Sequence, residues 1–330
     1  MGSQLSPDRS SGHQPTHRRW FFAYWRANLR HLLHQYPADV VVSVHALLTR
    51  PLARAVQSLP QRPPFISVVT DLVTTHAFWY DPSVARCLVP TEAAYQRGLA
   101  LGLAPQQLRV TGLPIHPNFV QGLGEPAAAR QALHLDPRLP VVLLVSGGDG
   151  MGPVYEIARA IDARQPACQF IIVTGRNQAL RDRLTACTWA QPTRIYGFVD
   201  FMPTLMTAAD VLISKAGPAT LSEACAAGLP VIISGAIPGQ EAGNVRFMLE
   251  QEAGVFAPTP GAVAETLLAW LQAPAELARR QHCARAAARP DAVWQIVEEL
   301  VSLSEGCPSP TWQPVSSSVP PLRALASLPD

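Results

Sequence analysis

Lys215 is the only lysine in a chain with 26 Lys plus Arg residues, and it lies in "ISKAGPATLSEACAAGLPVI", residues 213–232. An arginine-rich composition explains why lysines are scarce but not why this one is kept. The residues around it suit anion chemistry. An apolar run ends at the lysine, Gly217 makes a turn, and Pro218 starts a helix whose first N–H groups, from Ala219 and Thr220 onward, are free to face a phosphate. A hydrogen bond to a charged group contributes about 1.5–3 kcal/mol and a helix end about 0.3–1 kcal/mol, so the ammonium would be the larger single contribution. Glu223 follows Thr220 by three residues, one turn deeper on the same face. A carboxylate there would repel a diphosphate but could accept both vicinal hydroxyls of a ribose. The plainer alternative is a solvated strand end at Lys215 and a first-turn carboxylate at Glu223 favoured by the helix dipole.

Two further loops carry the same kind of chemistry. "SGGDGMGP" (146–153) follows an apolar run and precedes a helical pattern with Pro153 at its start. Gly148, Gly150 and Gly152, with Met151 among them, let backbone N–H groups approach an anion. Its glycine spacing is not G-x-G-x-x-G, and "VTGRN" after the next run lacks the acid that would hold a nicotinamide cofactor's ribose. "SGAIPGQEAGN" (234–244) supplies Gln240, Glu241 and Asn244, side chains able to read sugar hydroxyls. In the first half, His45, His76 and Asp71 stand at or beyond the ends of apolar runs and are candidates for base chemistry, which requires reaching an acceptor hydroxyl within about 3 Å. Asp71 could orient His76 or an acceptor, or simply cap its turn.

These residues need elements to hold them. Short, fully apolar runs bounded by turn residues recur at 39–45, 65–71, 86–91 and 108–114, and again at 141–148, 170–176, 194–198, 211–217, 230–235 and 253–258. Continuous apolar runs alternating with helical patterns such as 154–164 and 219–227 indicate parallel sheets covered on both faces. The expected fold is α/β, two doubly wound parallel-sheet (Rossmann-like) domains with a cleft between their carboxyl ends. The boundaries read as a disordered tail at 1–16, an N-terminal domain at 17–120, a C-terminal domain at 121–303 and a disordered tail at 304–330.

Composition narrows the function. A net charge of +2 without a basic stripe argues against nucleic acid as a partner. The six cysteines form no C-x-x-C pair and no zinc spacing, which suits a reducing cytoplasm. No apolar run approaches the roughly 20 residues needed to span a bilayer. Residues 18–33, however, mix arginines with aromatics including Trp20 and Trp25, a combination that favours an anionic membrane surface, and Phe78 and Trp79 mark a second aromatic cluster. The alternative for 18–33 is a helix packed on the first sheet.

In order, "TDLVTTHAFWY", "VTGLPIHPNF", "GGDGMGP", "TGRN", "YGF", "SKAGPATLSEACAAGLPVI" and "IPGQEAGNV" closely resemble the monogalactosyldiacylglycerol synthase group of glycosyltransferase family 28, related to bacterial glucosyl-diacylglycerol synthases. The resemblance runs from about residue 20 to 300. It implies the glycosyltransferase B fold, with a UDP-hexose donor on the C-terminal domain, diacylglycerol as acceptor, and a peripheral site on the membrane's inner face. By that likeness Gly148, Gly150, Met151 and Gly152 line the donor cleft, Arg176 and Phe198 lie near the uracil, Gly217 to Thr220 hold the diphosphate, Glu223 takes the ribose, and Gln240 and Glu241 face the sugar. No D-x-D sequence occurs, so transfer without a metal cofactor is expected, with Lys215 and helix ends facing the departing UDP. The family's opening G-G-G-H-R-A-S loop does not occur here. The chain is therefore expected to be a shortened form of the enzyme, one half completed by a second polypeptide, or a protein that binds donor without transferring. A UDP-sugar epimerase is a further reading of the same fold.

Overall fold

The computed structural model describes residues 28–121, 124–145, 147–148, 150 and 152–304. It contains two parallel sheets. The first has four strands in the order β1-β2-β3-β4 (Val41–Ser43, Phe65–Val68, Arg86–Val89, Leu108–Val110), running in one direction among the described residues. The second has six in the order β10-β9-β8-β5-β6-β7, built from β5 (Val141–Val145), β6 (Gln169–Val173), β7 (Thr193–Tyr196), β8 (Val211–Lys215), β9 (Val231–Gly235) and β10 (Gly254–Phe256). All ten expected strands are present, each shorter than its apolar run.

Helices cover both sheets. Around the first lie α1 (28–35), α2 (Ala46–Gln57) and α3 (Glu92–Ala100). The connection and the second unit supply α4 (Asn118–Gln121), α5 (Pro126–Ala132), α6 (Val154–Asp162), α7 (Gln178–Thr185), α8 (Met202–Ala208), α9 (Pro218–Ala227), α10 (Ala242–Glu250), α11 (Pro260–Leu271), α12 (Pro274–Ala287) and α13 (Ala292–Leu303). The period of two along a strand explains why these runs are apolar throughout. Val141, Leu143 and Val145 of β5 enter one core, with Leu205 and Leu221, while Val142 and Leu144 enter the opposite one, with Ile157 and Leu267.

Apolar packing and a returning helix help tie the units together. Leu72, Leu113, Ile115 and Phe119 join the same apolar cluster as β5, β8 and α9. The chain also returns at its end. Ile296 of α13 packs with Ile66, Val68 and Leu88 of the first sheet, and the Glu299 carboxylate accepts from Arg86 Nε at 3.2 Å and from Arg109. By packing, α13 therefore covers the first sheet, although the sequence boundary at 303 groups it with the second.

The second sheet reverses its winding between β5 and β8, since β6 follows on one side and β8 sits on the other. Such a reversal opens a crevice beyond the carboxyl ends of the two strands. The loop after β5 is 146–153 and the turn after β8 is 215–217, so the topology alone sets the two glycine-rich segments side by side.

Candidate functional site

The turn after β8 forms as its residues dictate. Lys215 is the last residue of β8, beside a register shift in the β8–β9 pairing, and Gly217 caps α9 with Pro218 at its first position. No side chain caps this helix start, so its leading N–H groups face the crevice without an intrahelical partner. At its other end Gly228, in the left-handed region at φ 71°, stops the helix. The 146–153 loop is held against 174–177. Asn177 Nδ2 donates to the Gly150 carbonyl at 3.1 Å, and Arg176 N–H donates to the Gly148 carbonyl at 2.9 Å. A Cβ on Gly175, where φ is +61°, would lie 2.5 Å from the Gly148 oxygen, so only glycine permits this backbone approach. α6 starts at Val154, where the 154–164 pattern begins, with Pro153 as its cap and not its first residue.

These loops enclose a cleft of about 470 Å³ lined by Gly147, Gly148, Phe198, Thr220 and Glu223. Lys215 stands between the two glycine turns. A Cβ on Gly147 would lie 3.8 Å from its Cε, and one on Gly217 would lie 3.6 Å from its Nζ. Burial pushes the Glu223 carboxyl up to about 7, since a charged carboxylate loses hydration there. Phe198 is 63% exposed, and the Arg176 guanidinium lies 4.9 Å from its ring centroid. That pair makes a flat cationic–aromatic platform of the kind on which a nucleobase stacks. Gln240 is exposed in the loop before α10, with its side chain available to a ligand. Met151 lies outside the described residues.

Elsewhere the side-chain placements correct the sequence reading. Glu241 is 2% exposed and does not face open cleft. Its carboxylate accepts from Lys215 Nζ at 2.8 Å and from the Ile237 N–H at 2.9 Å. Asn244 is equally buried and donates to the Ala216 carbonyl at 2.9 Å. Both hold the turn after β8, bonding to Lys215 and Ala216 from the start of α10.

The acceptor-side candidates are engaged locally. His45 caps α2, its Nδ1 accepting the Leu47 N–H at 3.3 Å, and His76 caps a short 3₁₀ turn at Ala77–Trp79, its Nδ1 accepting the Phe78 N–H at 3.1 Å. In each ring Nδ1 is thus engaged with the backbone. Asp71 does not orient His76, since it accepts from Trp79 Nε1 at 2.7 Å. Trp79 is itself 2% exposed and packs in the first core, which removes it from any lipid-facing set. Phe78 is partly buried, with Arg50 5.7 Å from its ring centroid. Trp20 and Trp25 lie outside the described residues.

Residues that the sequence reading left without a role also line the cleft. His116, Asn118 and Phe119 reach it from the connection between the units, and Asp200, Met202 and Met206 from the segment after β7. The signal for the first three was "LPIHPNF", a polar, proline-broken stretch directly after a strand; the others had none. Among the described residues no group of three His, Cys, Asp or Glu side chains could hold a metal ion.

Two facing parallel α/β units, with an anion turn and an aromatic platform at the carboxyl edge of the second, define the glycosyltransferase B class of fold. Solved structures agree on that fold. A UDP-GlcNAc 2-epimerase from Neisseria meningitidis superposes with a TM-score of 0.64 at 16% identity, covering 90% of this chain and 84% of that one. MurG of Acinetobacter baumannii superposes at 0.63 and 15%, covering 88% and 83%.

Sequence comparison is more specific. The monogalactosyldiacylglycerol (MGDG) synthase family matches residues 8–115, and the glycosyltransferase family 28 C-terminal domain matches residues 142–251. A probable monogalactosyldiacylglycerol synthase 2, chloroplastic, of Oryza sativa subsp. japonica is 41% identical over 281 residues, 82% of this chain and 60% of that protein. Monogalactosyldiacylglycerol synthase 2, chloroplastic, of Arabidopsis thaliana is 38% identical over 293 residues, 86% and 63% respectively. The chain belongs to the monogalactosyldiacylglycerol synthase group of glycosyltransferase family 28. It spans about 60% of the length of the curated relatives it matches.

Proposed function

We propose that this chain binds a UDP-hexose in the β5–β8 crevice and moves the hexose to diacylglycerol, releasing UDP. The observation that carries the reading is a cleft at the sheet's reversal lined by Thr220 and Glu223 of α9 and by Phe198, with Arg176 4.9 Å from that ring's centroid and Lys215 beside the cleft's glycine loop. Uracil stacks on the platform, the ribose hydroxyls meet Glu223, and the diphosphate meets the α9 N–H groups and the Lys215 ammonium. As the glycosidic bond to the diphosphate breaks, negative charge grows on the departing oxygen. Donors already fixed in a partly desolvated site stabilise that charge without reorganising. With the ammonium and a helix end in that role, transfer proceeds without an added metal. The names of the relatives favour galactose and diacylglycerol.

No helix among the described residues is long and apolar enough to cross a membrane. A lipid acceptor would be met from the first sheet's side, where Leu32, Tyr36, Val44 and Leu47 are exposed.

One observation favours a second reading, a chain that holds donor without completing transfer: the Nδ1 atoms of His45 and His76 are both taken by backbone N–H groups. Product analysis separates the two. The chain is incubated with labelled UDP-galactose or UDP-glucose and diacylglycerol vesicles, with and without excess EDTA. Labelled glycolipid formed equally in EDTA is the expected result, and the preferred donor names the hexose. Donor binding without product supports the second reading, and an isomerised nucleotide sugar makes the chain an epimerase. Activity that returns only with Mg²⁺ or Mn²⁺ removes the metal-free mechanism.

A further inference from the structure

We propose that the first turn of α10 is a positioning element that registers the acceptor-side loop 71–80 against the donor turn, with Gly243 and Thr74 as the contact across the cleft. The inference rests on the reading of the crevice as a UDP-sugar site.

Glu241 and Asn244 are three residues apart, on one side of α10, and both grip the β8–α9 turn: one through the Lys215 ammonium at 2.8 Å, the other through the Ala216 carbonyl at 2.9 Å. Between them, the Gly243 N–H is one of the donors that a helix start leaves without an intrahelical partner. It is donated to Thr74 Oγ1 at 3.0 Å, from the loop after β2 of the other unit. A Cβ on Gly243 would collide with that oxygen and come within 3.0 Å of the Thr74 nitrogen, so the two units reach this distance only because residue 243 is glycine.

The loop on the far side is held by its own bonds. Thr75 N–H donates to the Val73 carbonyl at 2.8 Å, and the Thr75 hydroxyl pairs with the Tyr80 hydroxyl at 2.7 Å. Trp79 Nε1 donates to Asp71 at 2.7 Å, and the Thr91 hydroxyl donates to the Leu72 carbonyl at 2.9 Å. A shift of the phosphate turn is therefore passed through direct bonds and a rigid helix end to the segment that carries Asp71 and His76, with no flexible link between. A diphosphate that fixes Lys215 and the α9 turn also fixes α10, and α10 fixes loop 71–80.

Hydrogen exchange of the peptide covering 71–80 in the full chain, with and without UDP, tests this. UDP is expected to slow exchange there by about fivefold or more in the unaltered chain, the lower end of ordinary site-to-site coupling. Thr74→Val removes the acceptor without changing the side chain's shape, and Gly243→Ala blocks the approach. Both should bind UDP within about threefold of the unaltered chain yet lose the slowing. Equal slowing in the variants, or none in the unaltered chain with UDP bound, overturns the proposal. Loss of UDP binding in both variants also overturns it, because the contact would then belong to the fold of the donor turn. A chain that binds no UDP at all instead removes the reading of the crevice.

Discussion

At the carboxyl edge of the second sheet, Glu223 of α9 and Phe198 after β7 line one cleft, with Lys215 and Arg176 beside its glycine loop. At the carboxyl edge of the first, Asp71, His45 and His76 are used within a few residues of themselves, as an indole acceptor and two caps. The edge of the second sheet gathers such groups around an open cleft, and the edge of the first uses them to hold its own loops. The reversal between β5 and β8 provides such a place, whereas the first sheet runs in one direction among the described residues.

Glu223→Gln is the largest test of this contrast. A carboxyl raised to about 7 from the ordinary carboxylate range binds its proton more tightly in the folded chain than in the unfolded one. The stability it supports is therefore present below about pH 4.5 and is lost as pH rises toward 7. At 1.36 kcal/mol per pH unit, the unaltered chain should lose up to about 3 kcal/mol relative to Glu223→Gln over that window. Denaturant melts of both at pH 5 and pH 7.5 measure the difference. Parallel profiles would make Glu223 an ordinary solvated carboxylate and count against the proposed ribose contact.

A smaller effect is expected across the cleft. His76→Ala removes a cap and should cost about 1 kcal/mol of stability while leaving UDP affinity within about twofold. Denaturant melts and calorimetric titration check both. A fall in UDP affinity as large as that expected from Lys215→Ala would erase the distinction between the two sides.

The elements were legible because their signals are local. Uninterrupted apolar runs gave all ten strands, and the segment from Lys215 to Gly228 could be read directly as strand end, turn, helix and stop. Glu223 could be placed because a spacing of three on a helix is geometry, and that geometry follows once Pro218 starts the helix.

What was not legible depends on contacts distant in sequence. Glu241 and Asn244 read as sugar-facing polar residues, yet they are buried and bond to Lys215 and Ala216, partners 26 and 28 residues away that no local spacing announces. Trp79 read as lipid-facing because its neighbours are aromatic, but its indole N–H finds Asp71 and its ring fills the first core. The return of α13 to the first sheet depends on Glu299 meeting Arg86 and Arg109, partners about two hundred residues away. Nothing local in "SGAIPGQEAGN" marks Gly243 as the point where Thr74 approaches.

The central claim is that Lys215 and the amino end of α9 form a diphosphate site, and calorimetric titration of the unaltered chain and Lys215→Ala with UDP and with uridine tests it most directly. Losing a charge-assisted hydrogen bond of about 1.5–3 kcal/mol should weaken UDP binding roughly 10- to 150-fold, while uridine, which lacks phosphates, binds both proteins alike. UDP affinity unchanged by the substitution, or an equal loss for uridine, would contradict the account.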